Sequence, residues 1–80
     1  MTNQKEIQFL QIDLYEGKLE KNRKVTVDIS QPIVPQVLTQ VLDIDEEELQ
    51  REIEYMLPLF DSTSTGYKFM GDDDLCLIIL

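Results

Sequence analysis

The last six residues of this 80-residue chain, Leu75–Leu80, are all apolar. A run of this length is too short for a stable helix and is typical of a strand that is buried on both faces. It follows the acidic segment Gly71–Asp74, whose composition indicates a turn. We therefore expect Leu75–Leu80 to be the central strand of a sheet. The short chain has room for a single domain, residues 1–80.

Two earlier segments, Ile7–Tyr15 and Lys24–Ser30, alternate apolar and polar side chains, as strands with one buried face do. Between them, Gly17 and Asn22 favour the left-handed dihedral angles of a hairpin connection. The first thirty residues therefore predict a β-hairpin. The positions in phase, which we expect to face the core, are Leu10, Ile12, Leu14, Val25, Val27 and Ile29 in the hairpin and Leu75, Leu77 and Ile79 in the last strand.

The middle of the chain changes to helical spacing. Val34–Leu42 predicts a helix of two to three turns with Val37, Leu38 and Val41 in the core, and Pro35 suits its first turn. Asp45–Glu48 has the pattern of a helix N-cap followed by a capping box. Residues 50–57 fit both a helix and a strand, because their apolar side chains match both periods.

The charge and the missing residue types restrict the chemistry. Sixteen carboxylates against seven basic groups give a net charge of −9, so the chain has no basic stripe for nucleic acid. The sequence contains no histidine, which excludes histidine-based catalysis and histidine metal sites. Cys76 lies inside an apolar strand, and Asp72–Asp74 are adjacent carboxylates that cannot all point at one ion. We expect no catalytic residue, no cofactor and no metal.

Two further features bear on location. Met1–Glu6 has no apolar stretch like that of a signal peptide. No run of apolar residues approaches the roughly 18 to 20 that span a bilayer. We therefore expect a cytoplasmic protein without direct membrane insertion.

The order of hairpin, helix, ambiguous segment, polar loop and final strand resembles that of the ubiquitin-like β-grasp domains. This α+β resemblance implies a mixed sheet in which the first and last strands lie side by side at the centre. Val25–Ile29, Val37–Ile44 and Gly71–Leu80 are similar to segments of the small ubiquitin-like cytoplasmic component of Gram-positive type VII secretion systems, the YukD/EsaB type. That likeness implies an adaptor or regulator that acts near a secretion ATPase or its membrane scaffold.

Two alternatives qualify this interpretation. If residues 45–57 are wholly helical, the expected architecture becomes a ββααββ sandwich. The MoaD/ThiS sulfur carriers have a similar turn before their last strand, but they and ubiquitin need a flexible C-terminal Gly-Gly. This sequence ends Ile79–Leu80, so we expect neither sulfur transfer nor conjugation.

The expected phase of the last strand also predicts a binding surface. If Leu75, Leu77 and Ile79 face the helix, period-two alternation turns the other residues to the opposite face. An exposed apolar strip there would bind a protein partner or form a homodimer. The residues of this predicted strip are Phe9, Cys76, Ile78 and Leu80.

The sequence therefore supports two functional hypotheses. The first is a non-catalytic protein-binding adaptor or regulator, as the type VII resemblance implies. The second is an acidic inhibitor, such as an immunity, anti-defence or DNA-mimic protein, that presents carboxylates to a basic partner.

Overall fold

A long hairpin, two consecutive helices and three short strands follow one another in the computed structural model, which describes residues 3–80. Met1 and Thr2, the start of the segment considered for a signal peptide, lie outside the described residues. A 3-10 turn, Leu57–Leu59, precedes the third strand. The elements are β1 (Gln4–Asp13), β2 (Lys18–Asp28), α1 (Ile33–Val41), α2 (Glu46–Met56), β3 (Asp61–Thr63), β4 (Gly66–Met70) and β5 (Asp74–Ile79).

Within residues 3–80 the strands form one five-stranded sheet of order β2-β1-β5-β4-β3, so the fold is α+β. The last strand lies at the centre beside β1, as expected. The expected mixed sheet is wrong, because all four strand pairs of the described chain are antiparallel. Tight turns join β3 to β4 and β4 to β5. Each strand therefore reverses the direction of the one before it, and β5 runs in the same direction as β3. That direction is set by α2 and the turn that follows it.

The segment that fitted both a helix and a strand is helical. The carboxylate of Asp45 accepts a hydrogen bond from the backbone N–H of Glu48 at 2.9 Å, which confirms the predicted N-cap. Acidic side chains at Glu46, Glu47 and Glu48 also complement the helix dipole. This agrees with the alternative in which residues 45–57 are helical. The observed element order is ββααβββ, which has one more C-terminal strand than the ββααββ order of that alternative.

Side-chain hydrogen bonds fix α1 to β2 near both of its ends. The amide of Gln36 accepts from the backbone N–H of Asp28 at 2.8 Å and donates to the carbonyl oxygen of the same residue at 2.9 Å. The ammonium group of Lys21 donates to the carbonyl of Val41 at 3.1 Å. The start of α1 is therefore held to the last residue of β2, and its end to a residue in the first half of that strand.

The core lies between one face of the sheet and the two helices. Val25, Val27, Val37, Leu38 and Val41 are buried there, as predicted. The predicted phase of β1 and β5 is wrong, and so is the prediction for Ile29, which follows the end of β2 and is exposed. The buried cluster is Ile7, Phe9, Val25, Val27, Val34, Val37, Leu38, Val41, Cys76 and Ile78, whereas Leu10, Ile12, Leu14, Leu75, Leu77 and Ile79 do not belong to it.

The pairing of the strands explains which side chains of β1 and β5 face the core. Residues directly opposite one another in an antiparallel pair lie on the same face. Ile7 is opposite Val25, so it shares the face that α1 covers. Phe9, two residues further along β1, lies on the same face as Ile7. It is directly opposite Ile78, so Ile78 of β5 also faces α1. The side chains between these positions therefore point away from the helices.

Candidate protein-binding surface

One face of the sheet has no covering element among residues 3–80. The apolar side chains of α1 and α2 pack against the buried cluster, so both helices lie on the other side. We call the uncovered side the open face. The described chain places seven apolar side chains on it: Leu10, Ile12, Leu19, Met70, Leu75, Leu77 and Ile79.

These side chains form a contiguous patch. Cross-strand neighbours on one face have Cβ atoms about 4.5 to 5.5 Å apart, so paired residues contact one another. One row crosses four neighbouring strands and is apolar throughout, and a second row beside it has an apolar centre with polar ends. The first row is Leu19, Ile12, Leu75 and Met70, and the second is Asn22, Leu10, Leu77 and Lys68.

The patch is accessible to solvent. Met70 and Leu19, at the two ends of the first row, are 60% and 54% exposed, and Ile79 is 37% exposed. The remaining members, at the centre of the sheet, are partly buried by their neighbours. Single exposed apolar residues are common on monomers, but a contiguous group is typical of an interaction site.

Charged side chains border the open face, and their positive and negative charges nearly cancel. On the hairpin side, the ammonium group of Lys24 lies 3.9 Å from the carboxylate of Glu6, and Asp28 lies on the same face. On the other side, Lys68 is directly opposite Asp61. Among the described residues that are paired in the ladder, three carboxylates and two ammonium groups leave one net negative charge on this face, whereas the whole chain carries −9. Most of the acidic surface therefore lies elsewhere.

The predicted binding strip does not form. Phe9, Cys76 and Ile78 are core residues, none more than 4% exposed, and of the four predicted residues Leu80 alone is exposed. The sequence prediction placed the exposed surface on the wrong side of the sheet. Five of the seven apolar residues of the open face were predicted as core, so sequence reasoning found the apolar positions and reversed the faces.

The buried position of Cys76 suppresses its reactivity. Burial, followed by the negative charge of Asp74, raises the pKa of its thiol to about 11. Lys21 opposes this effect, and Glu20 adds the smallest contribution, in the raising direction. The thiolate is the nucleophile, so a thiol that stays protonated at neutral pH is inert. Cys76 therefore contributes packing and not chemistry in this fold.

We expect Cys76 in the native protein to react with Ellman's reagent at pH 8 at least about 100-fold more slowly than in guanidinium chloride, where the chain is unfolded. Both the low thiolate fraction and the burial slow the native reaction. Absorbance at the thionitrobenzoate band measures both rates. Equal rates in the two solvents would contradict the buried position.

On the helix side, a cleft of about 460 Å³ lies beside the start of α2. Its polar groups are the carboxylates of Glu46 and Glu47, the hydroxyl of Thr39 and the amide of Gln50. In the part of the chain that the structure describes, no set of three cysteine or carboxylate side chains is grouped to hold a metal. The cleft is lined by Thr39, Glu46, Glu47, Leu49, Gln50 and Ile53.

Comparison with known proteins gives no match to a protein-family model, a curated protein or a solved structure. Neither α1 nor α2, the α-helices of residues 3–80, is long and apolar enough to span a bilayer. The open face is therefore the feature from which we infer a function.

Proposed function

We propose that the protein is a non-catalytic binding module whose docking surface for a protein partner is the open face. The observation that carries the proposal is the uncovered apolar patch across β2, β1, β5 and β4. Its half-buried centre around Leu10 and Leu77 and its charged border have the anatomy of a protein interface, with an apolar core and a polar rim. Each 100 Å² of apolar surface that a partner covers contributes about 2.5 kcal/mol before the entropic cost of association.

The type VII resemblance provides a setting for this proposal. In that setting the module is a ubiquitin-like adaptor in the cytoplasm, and its partner is a secretion ATPase or membrane scaffold. The central position of β5 beside β1 supports this assignment. The antiparallel β1–β5 pairing and the second helix count against it. Genes for type VII substrates and the membrane ATPase beside this one would favour it.

A second candidate function is an acidic inhibitor of a basic protein. Seven exposed carboxylates lie between Asp43 and Glu54, with Arg51 as the one basic residue of that segment. They belong to the helix layer, opposite the open face. A basic partner would therefore dock on a different side of the molecule from an apolar one.

Site-specific photo-crosslinking in the native host separates the two functions. We expect benzoylphenylalanine at Met70, on the open face, to form a protein adduct, and the same residue at Tyr55 to form none. Tyr55 is a matched control because it is 68% exposed and lies on α2. The Met70 adduct should disappear when Leu77→Asp is added, because a carboxylate in a desolvated contact is unpaired.

Other outcomes decide against the proposal. An adduct from Tyr55 and none from Met70 would favour the acidic inhibitor. A Met70 adduct that survives Leu77→Asp, or no adduct at either position, would contradict docking on the open face.

A further inference from the structure

Resting on the proposed function, we infer that the occupant of the open face is a second copy of this chain. The two copies pack sheet against sheet about a two-fold axis, with their helices on the outside. The dimer then has four layers, helix, sheet, sheet and helix, and a second apolar core between the sheets.

Charge is the first observation that selects a second copy. Each chain carries −9, so two copies repel one another wherever their acidic surfaces meet. The ladder-paired residues of the open face within residues 3–80 carry one net negative charge, so two copies can bring these faces together at low electrostatic cost. In a face-to-face dimer the acidic segment Asp43–Glu54 faces solvent on both outer sides.

The distribution of charge on the border is also self-complementary. Both edges of the open face carry both signs: Glu6, Asp28 and Lys24 on the hairpin side, and Lys68 and Asp61 on the other. A two-fold axis places one copy of the face against another copy of itself. Whichever edge of the second copy lies against an edge of the first, each edge therefore has an ammonium group available for a carboxylate of the other copy, and a carboxylate available for an ammonium group.

Size is the second observation. Specific dimers bury about 800 Å² per partner, which is roughly one-seventh of the 5654 Å² accessible to solvent in one copy. The broadest side of a molecule that measures 43 × 30 Å along its two longer axes has room for a contact of this size. One copy covers only one side of its sheet with helices, and small domains commonly complete their burial by association.

Sedimentation equilibrium of the purified full chain tests the dimer. Between 1 and 500 μM we expect the mass to rise to twice the 9.4 kDa of one chain. Leu77→Asp, at the centre of the patch, should weaken dimerisation at least about 100-fold. Met70→Asp, at an exposed position, should also weaken it and provides a second variant if Leu77→Asp does not fold. Tyr55→Asp, on the helix side, should leave the dimer unchanged, and circular dichroism checks the fold of each variant.

A wild-type chain that stays monomeric at 500 μM overturns the inference. A dimer that persists in folded Leu77→Asp and in Met70→Asp also overturns it, because the copies then associate through another surface. The dimer can fail while the proposed function holds: a monomeric chain that still gives a Leu77-dependent Met70 adduct in cells uses the open face for a different protein.

Discussion

Ile78→Asp should unfold the domain. Ile78 is 1% exposed and lies in the core opposite Phe9 on one side and Tyr67 on the other. The substitution removes a packed side chain, which costs about 2 to 5 kcal/mol, and buries an unpaired carboxylate, which costs several kcal/mol more. The sum exceeds the stability expected of a small domain. Loss of the far-ultraviolet circular dichroism spectrum and collapse of amide shift dispersion would measure the result.

Ile79→Asp is the matched control. It introduces the same carboxylate one residue further along β5, but this position is 37% exposed on the open face. We expect a folded protein. A folded Ile78→Asp protein, or equal losses of stability in both variants, would mean that the two faces of β5 are assigned the wrong way round.

The second large effect is expected for Gly66→Ala. A Cβ atom at Gly66 would overlap the carbonyl oxygen of Ile78. Gly66 pairs with Ile79 at the start of β4, so the overlap is relieved only by separating two paired strands. The backbone φ of +156° adds strain for an alanine. We expect the free energy of unfolding to fall by about 3 kcal/mol or more.

Gly17→Ala is the control for that substitution. Gly17, in the hairpin turn, has a φ of +70°, but no atom lies within 4 Å of its ideal Cβ position. It should cost only about 1 kcal/mol, from the left-handed conformation alone. Urea denaturation followed by circular dichroism measures both variants. Similar midpoints would show that Gly66 is not needed for close approach of the strands.

The sequence predicted the hairpin, α1 and the central last strand because each has a clear local pattern. It could not choose the buried face of β1, where Ile7 and Phe9 on one side compete with Leu10 and Ile12 on the other. An unbroken ladder from the pair Asp13–Lys18 would place Glu6 opposite Val25 and send Leu10 and Ile12 into the core. That is the phase the alternation predicted.

A β-bulge in β2 reverses which side chains of β1 face the core. The register shifts after the pair Gln11–Lys21, and the next pair is Ile12–Leu19, which leaves Glu20 without a partner on β1. A shift of one residue moves every later side chain to the other face. Ile7 therefore comes opposite Val25 and enters the core. No glycine marks the bulge in the sequence, so the face that is open could not be predicted.

The edges of the sheet determine how a molecule with an apolar face can stay dispersed. β2 is one edge, and six of its eleven residues are charged. Together with the bulge, these charges discourage another strand from adding to the ladder. The opposite edge, β3, is only three residues long, which is too short to template a neighbour. With both edges blocked against polymerisation, the proposed association through the open face would end at one partner and would not propagate into a fibril.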